Sequence, residues 1–170
     1  VPTTYWPDGS IRHAIISGRT TLAANTATPI TLSLGSQTSG TTLSTTDLQS
    51  AIPATTTITV GGTTMTLAST FLASPQRVVC TGVVMSNWLY RTAVSGSNHL
   101  VIWADVRLYK GDTPSTHTVE SFPWVENAYL NVASPASTVA TSCAVVVGGV
   151  TKFSQSINIA HHTRVALLNN

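Results

Sequence analysis

The stretch His99-Leu-Val-Ile-Trp-Ala-Asp-Val-Arg-Leu-Tyr109 decides the fold, because its side chains alternate between two sets of different chemistry. Successive side chains of a β-strand point to opposite faces, so this alternation predicts one long strand with a wholly apolar face in the core. The opposite face is mixed, and such a strand is typical of the centre of a sheet. The apolar set is Leu100, Ile102, Ala104, Val106 and Leu108, and the mixed set is Val101, Trp103, Asp105, Arg107 and Tyr109.

Two glycine pairs, one on each side of this strand in the sequence, predict β-hairpins. Gly61-Gly62 lies between two alternating runs, and Gly148-Gly149 does the same further along the chain. Two-residue hairpin turns need positive φ angles, which glycine adopts without a steric cost. The flanking runs are 58–60 and 63–67 for the first pair, and 144–147 and 150–153 for the second.

Shorter runs complete a predicted total of about nine strands. Ser86-Asn87 is expected to be a turn between two of them, and 121–126 a connection that contains a proline. The one helical candidate is Thr45–Ala51, at most two turns long, with Thr46 as its cap. We therefore predict an all-β fold, an antiparallel sandwich or partly open barrel, in a single domain over 1–170. The remaining strands are expected at 11–17, 30–34, 77–85, 88–94, 128–132 and 156–160.

The surface is rich in hydroxyl groups and poor in charge. The chain has 29 threonines and 19 serines, while charged residues make up 8%, against roughly 25% in an ordinary soluble domain. Eight lysines and arginines, spread along the chain, form no basic stripe, so we expect no nucleic-acid ligand. No apolar run approaches the roughly 20 residues that span a bilayer, so we expect no membrane insertion.

The low charge also bears on association between copies. Exposed edge strands are usually protected by lysines or other charges, and this chain has few of them. We therefore expect a subunit of an assembly, most simply a homo-oligomer. Because the sequence has no initiator methionine, we also expect a module or fragment of a longer protein.

The most specific string is Trp6-Pro-Asp-Gly-Ser-Ile-Arg-His-Ala14. Proline presets the φ angle of a type I turn, aspartate tolerates the next position and glycine adopts the left-handed conformation after it. These preferences predict a tight turn that leads into a strand. They do not explain why Arg12 and His13 follow the turn.

This string resembles the signature of a β domain of the exo-rhamnogalacturonan-lyase-like group, related to the Rift barrel, which also occurs in virion and tail proteins of tailed bacteriophages. His161-His162-Thr163-Arg164 resembles a second element of that group, although Val165 stands where the group has tryptophan. The resemblance implies a structural module of a phage tail, baseplate or capsid-surface protein, located in the virion and in contact with other virion subunits. The resemblance to the carbohydrate-active members of the same group implies, as the alternative, an extracellular domain that binds or cleaves acidic polysaccharide.

Under the carbohydrate hypothesis, the site residues are Arg12, His13, His162 and Arg164. Such chemistry needs a cation to bind the sugar carboxylate and a base beside it. The alternative is that the arginines lie over rings such as Trp6 or reach backbone carbonyls. His161 and His162, if they lie in a strand, point to opposite faces, so only one of them can face a site.

The tryptophans and cysteines supply the remaining candidates. Trp124 is expected to be the most exposed tryptophan and, with Trp6, the contact for a protein partner or a surface glycan. Cys80 and Cys143 are expected to be buried free thiols, with a disulfide as the alternative. The histidines and carboxylates lack the spacing of a metal site, and the common catalytic motifs do not occur, so we expect no metal, cofactor or catalytic residue in a structural module.

Overall fold

Antiparallel strands make up most of the computed structural model, which describes residues 2–18, 20–31, 39–97, 99–128 and 138–168. The all-β prediction is confirmed, with eleven strands in the described residues rather than about nine. The helices are α1 (Thr45–Ala51), α2 (Ser69–Leu72) and a 3-10 turn at Pro114–Thr116. The strands are β1 (Pro2–Tyr5), β2 (Ile11–Ala14), β3 (Thr57–Val60), β4 (Thr63–Thr66), β5 (Arg77–Cys80), β6 (Met85–Ala93), β7 (Leu100–Tyr109), β8 (Thr118–Asn127), β9 (Thr138–Val147), β10 (Val150–Ala160) and β11 (Thr163–Ala166).

Two large sheets form a sandwich around one core. The four-stranded sheet has the order β10-β9-β3-β4, and the five-stranded sheet has the order β11-β8-β7-β6-β5. Strands β1 and β2 form a separate two-stranded sheet. Both predicted glycine hairpins are present, as the β3–β4 and β9–β10 turns. The four glycines have φ angles between 55° and 83°, as hairpin turns require.

The decisive stretch forms β7, at the centre of the five-stranded sheet. It pairs with β6 on one side over 101–109 and with β8 on the other over 100–109, so its backbone N–H and C=O groups are hydrogen-bonded on both sides. Its predicted apolar set is almost completely buried, with Leu100 the most exposed member at 4%. Burying leucine, isoleucine and valine side chains contributes about 1.5–3 kcal/mol each, so this face is a substantial part of the core.

The helix α1 occupies the predicted range, but its cap is Ser44 rather than Thr46. The Ser44 hydroxyl accepts from the Asp47 backbone N–H, and the Asp47 carboxylate accepts from the Ser44 backbone N–H at 2.7 Å. This reciprocal arrangement satisfies two backbone donors at once, which Thr46, already inside the helix, cannot do. The hydrogen bonds from Ser44 also lower the pKa of Asp47.

The predicted turn at Ser86-Asn87 is wrong, since both residues lie inside β6 and are buried. The chain reverses instead at 81–84, between β5 and β6. Ser86 is tolerated in the interior because its hydroxyl accepts from the Gly82 N–H at 3.1 Å and donates to the Leu43 carbonyl at 2.9 Å. Serine and asparagine are common in turns, but here both residues are buried within a strand, and the Ser86 hydroxyl is satisfied by hydrogen bonds.

The predicted connection 121–126 is also wrong, because it lies within strand β8. Pro123 is accommodated one residue beyond the β8–β11 ladder, which covers Trp124 to Asn127. Its carbonyl accepts from the Leu167 N–H at 2.9 Å, and a missing N–H at the end of a ladder costs little.

Several predicted strands differ from the structure or fall partly outside it, and 77–85 is one of them, since β5 ends at Cys80. The run 11–17 is shorter than predicted, since β2 ends at Ala14. Ile30 and Thr31 are not in a strand, and 32–34 lie outside the described residues. Ala128 follows the end of β8, and 129–132 lie outside the described residues.

Candidate functional site

The outward side of the five-stranded sheet, here called the aromatic face, brings charged and aromatic side chains together on one surface. Strand register brings the mixed set of β7 level with outward side chains of β5, β6, β8 and β11. The face carries seven of the fourteen formally charged side chains in the sequence, with two tryptophans, a phenylalanine and a tyrosine. Its charged members are Arg77, Arg91, Asp105, Arg107, Glu120, Glu126 and Arg164.

A row of three stacked side chains crosses the middle of the aromatic face. Trp103 lies opposite Arg91 of β6 and opposite Trp124 of β8 in the strand register. The two indole rings are nearly parallel, with centroids 6.0 Å apart, and the Arg91 guanidinium lies 5.7 Å from the Trp103 ring. Trp103 is therefore flanked from both neighbouring strands, an arrangement worth about 0.5–1.5 kcal/mol for the ring pair beyond its burial.

Glu126 holds this row in place through two strong hydrogen bonds. Its carboxylate accepts from Trp103 Nε1 at 2.6 Å and from Arg164 Nε at 2.7 Å. The Glu126 side chain is only 15% exposed, whereas that of Arg164 is 67% exposed. Charge-assisted bonds of this length compensate for the partial desolvation of the carboxylate. Arg164 therefore pairs with a carboxylate, and the expectation of a ring or a backbone carbonyl as its partner is wrong.

A second group of interacting side chains, Asp105, Arg107, Tyr109, Glu120 and Phe122, lies beside the row. The Arg107 guanidinium lies 4.7 Å from the Phe122 ring, and its Nε donates to Asp105 at 3.2 Å. The Tyr109 hydroxyl donates to Glu120 at 3.1 Å, and burial together with this bond raises the pKa of Tyr109. On this surface, aromatic rings and paired charges therefore hold one another in position through stacking contacts and hydrogen bonds.

The structure corrects the prediction for the exposure of Trp124. Trp124 is partly buried against Trp103, and its Nε1 is buried without an acceptor among the described residues. The expectation that it is the most exposed tryptophan is wrong, because Trp6 is 52% exposed. Trp124 is covered because 121–126 pairs with β7 as a strand rather than forming a loop.

The predicted turn at the start of the chain is present. Gly9 has a φ of 84°, and the Trp6 N–H donates to the Ser10 carbonyl at 2.8 Å. Asp8 accepts from the side chain and the backbone N–H of Ser10, and these bonds lower the pKa of Asp8. The Arg12 guanidinium lies 4.8 Å from the Trp6 ring, as the non-catalytic alternative predicts.

The four residues of the carbohydrate hypothesis lie on two separate pairs of elements. Arg12 and His13 are in β2, which packs mainly against β1. His162 is in the β10–β11 turn and Arg164 is in β11, where its partner is Glu126. Within the described residues, neither a hydrogen bond nor a ring contact joins Arg12 to His162 or Arg164.

The expectation that His161 and His162 point to opposite faces of a strand is wrong. Both residues lie in the turn between β10 and β11, and their ring centroids are 3.7 Å apart. His162 has a φ of 61°, and its N–H donates to the Asn127 carbonyl at 2.6 Å. The turn therefore places the rings together, where an extended backbone separates them.

Both cysteines are buried free thiols, so the disulfide alternative is excluded in this structure. Burial raises the pKa of both, that of Cys143 to about 11. In the described part of the chain, histidine, cysteine, aspartate and glutamate form no group of three or more able to hold a metal ion. None of the helices there is long and apolar enough to cross a membrane.

Several residues of the aromatic face were missed at the level of sequence, although a signal was present. Residues 118–127 alternate with period two, and their outward set includes Glu120, Phe122 and Glu126 beside Trp124. Pro123 masked this pattern, because proline usually interrupts a strand. Arg91 lay within a predicted strand, but its position opposite Trp103 depends on register, which the sequence does not specify by itself.

Comparisons with protein families, with curated proteins and with solved structures found no match to this chain. The resemblance of 6–14 and 161–164 to a phage-associated β domain therefore stays a hypothesis that rests on those two strings.

Proposed function

We propose that the chain is a structural module of a virion, in a phage tail, baseplate or capsid-surface protein, and that the aromatic face is its contact with another protein subunit. The observation that carries this proposal is the grouping of two tryptophans, one phenylalanine and four arginines on one sheet surface. Aromatic residues and arginine are enriched in protein interfaces and supply most of their binding energy.

The stacking of the aromatic rings on their neighbours favours a protein partner over a sugar on this face. A sugar ring stacks on an open aromatic face, but Trp103 is flanked by Arg91 and by Trp124. The carboxylates Asp105, Glu120 and Glu126 already accept hydrogen bonds from neighbours on the face. A pre-ordered, partly dehydrated surface of this kind loses little side-chain entropy when another protein covers it.

Hydroxyl-radical footprinting of the intact particle and of the isolated chain tests the proposal. We expect oxidation of Phe122 and Trp124 to fall about tenfold in the particle, as for side chains that a partner covers. His117, in the connection between β7 and β8, serves as the reference and is expected to react equally in both samples. Equal oxidation of Phe122 and Trp124 in both samples contradicts the proposed contact.

A carbohydrate-active domain outside the cell is the second candidate. It is favoured by Trp6, which is half exposed on the tight turn and has the Arg12 cation beside its ring. Such a pair suits a sugar that carries a carboxylate. Binding and cleavage of polygalacturonate by the purified chain, lost in Arg12→Ala and His13→Ala, would replace the structural proposal with this one. Thr64→Ala, at an exposed position of β4, is the control and is expected to leave such an activity unchanged.

A further inference from the structure

The tight turn between β1 and β2 contains the one Asp-Gly step of the sequence. The chain has four aspartates, and only Asp8 is followed by glycine. The turn uses both residues, since Gly9 has a φ of 84°, which a residue with a side chain rarely adopts, and Asp8 accepts hydrogen bonds from Ser10. Glycine also leaves its own backbone nitrogen unshielded, because it has no side chain beside that atom. The residues that form the turn therefore place an open nitrogen next to a carboxyl group.

An aspartate followed by glycine can react with its own backbone. The Gly9 nitrogen forms a bond to Asp8 Cγ and loses its proton, the neutral carboxyl group loses its hydroxyl, and the two leave together as water. A second water molecule then opens the five-membered succinimide ring at one of its two carbonyls. Opening at one carbonyl restores aspartate. Opening at the other gives isoaspartate, in which the backbone runs through the former side chain.

In the folded turn, hydrogen bonds hold both reacting groups away from this reaction. The Gly9 N–H donates to the Trp6 carbonyl at 2.9 Å, so the nitrogen is engaged across the turn. Asp8 Oδ1 accepts from the Ser10 hydroxyl at 2.7 Å and from the Ser10 N–H at 2.9 Å, which turns the carboxylate toward Ser10. The same bonds, that of the Ser10 hydroxyl above all, lower the pKa of Asp8, so less of the neutral carboxyl group that reacts is present.

This protection lasts only while the turn is closed, and the sandwich supports the turn weakly. Strands β1 and β2 pack mainly against each other, and all four residues of β2 are exposed. Segments with few buried contacts open locally, at a lower free-energy cost than unfolding of the whole domain. We therefore expect the turn to open while the two large sheets stay folded.

We propose that Asp8-Gly9 is an isomerisation site that the hydrogen bonds from Ser10 keep inactive and that local opening of the turn releases. Isoaspartate adds one backbone atom between Cα of residue 8 and the nitrogen of residue 9. The Trp6 N–H and carbonyl bond to Ser10 and Gly9 across a turn of fixed length, and both bonds cannot form around the longer backbone. The reaction therefore separates Trp6 from Arg12, whose guanidinium lies 4.8 Å from its ring, and leaves the core unchanged. This inference does not depend on the aromatic face.

Peptide mapping of the full chain, with aspartate and isoaspartate forms separated and identified by fragmentation, tests the proposal. The chain is incubated at one pH, either folded or in about 6 M guanidinium chloride. We expect isoaspartate at position 8 to form at least about tenfold faster in denaturant, because three hydrogen bonds of the reacting groups are lost there. Equal rates in the two samples would show that the folded turn gives no protection and would overturn the proposal.

Two serine variants identify the protecting group. Ser10→Ala removes the hydroxyl donor and keeps the backbone donor, and it is expected to speed isomerisation of the folded chain about threefold, as for one exposed hydrogen bond. Ser154→Ala removes an exposed serine hydroxyl from β10 and is expected to leave the rate at the parent value. In denaturant all three chains are expected to react equally. A folded Ser10→Ala chain that reacts no faster than the parent contradicts the role of Ser10.

A variant of the sandwich tests whether the opening is local. Trp103→Ala removes a ring from the row on the five-stranded sheet, outside the β1–β2 hairpin. If the turn opens by itself, isomerisation at Asp8 is expected to keep the parent rate in this variant, although urea unfolding shows a less stable domain. An isomerisation rate that rises in proportion to the loss of stability would mean that the site is released only by global unfolding, and the proposed local release would be wrong.

Discussion

The outer faces of the two large sheets differ in chemistry although their inner faces form one core. The outward side chains of β3, β4 and β9, here called the hydroxyl face, carry no charge, and Thr59 and Thr64 on it share a hydrogen bond of 3.0 Å. The aromatic face holds half of the charges and the stacked tryptophans. Since a sandwich needs only its inner faces to be apolar, the outer faces are free to diverge. The inner faces therefore account for the folding of the chain, and the outer faces set the chemistry that its surface presents.

The largest expected difference between the faces concerns stability. Trp103→Ala removes the central ring of the stacked row and leaves Glu126 without its indole donor. We expect the free energy of unfolding to fall by about 3 kcal/mol, near the lower end for a large aromatic residue. The matched change Thr59→Ala on the hydroxyl face is expected to cost about 0.5 kcal/mol, as for an exposed cross-strand pair. Urea unfolding of both variants makes the comparison, and equal losses would mean that the faces contribute alike.

A second difference lies beneath the hydroxyl face, where burial raises the pKa of Cys143 from 9.0 to about 11. The folded state then holds the thiol proton more tightly than the unfolded state. This contribution is fully present below pH 9 and is lost as the pH rises toward 11, by about 2 kcal/mol in total. Urea unfolding between pH 8 and pH 11 measures the loss, with the unpaired thiol removed in Cys143→Ala as the control. A slope that is the same in that variant would assign the alkaline loss to other groups, such as Tyr90, whose pKa burial also raises.

These two faces also show how much the sequence predicts. The alternation of 100–109 and the glycine pairs predicted the core strand and both hairpins, because period and turn geometry are local properties. The aromatic face was not predicted as a unit, since Arg91, Trp103 and Trp124 meet only through the register of three strands. The position of Arg164 was missed for the same reason, because its partner Glu126 is 38 residues away. Local signals specify elements, whereas the site depends on pairings between them.

A smaller effect separates charge from packing on the aromatic face. Glu126→Gln keeps an oxygen for the Trp103 N–H but removes the negative charge that faces Arg164. Because Arg164 is largely exposed, solvent screens the lost attraction, and we expect a cost of about 1 kcal/mol. Arg164→Gln is the matched control and is expected to cost less, since Glu126 keeps its indole donor. A cost near that of Trp103→Ala would show that the charge, rather than the ring stack, holds the face together.

The smallest expected effect is on the hydroxyl face itself, and it concerns why threonine is there. Thr64→Val keeps the β-branched shape and loses one hydrogen bond, with Thr59, on an exposed strand. Valine and threonine both suit a pleated surface, so the free energy of unfolding is expected to change by less than about 0.5 kcal/mol. Solubility, measured by ammonium sulfate precipitation, is expected to fall, because β4, an edge strand of its sheet, becomes more apolar. If Thr64→Val is instead strongly destabilising, the hydroxyl groups support the fold. If neither the free energy of unfolding nor the solubility changes, the Thr64 hydroxyl contributes to neither of them, and threonine acts there only through its β-branched shape.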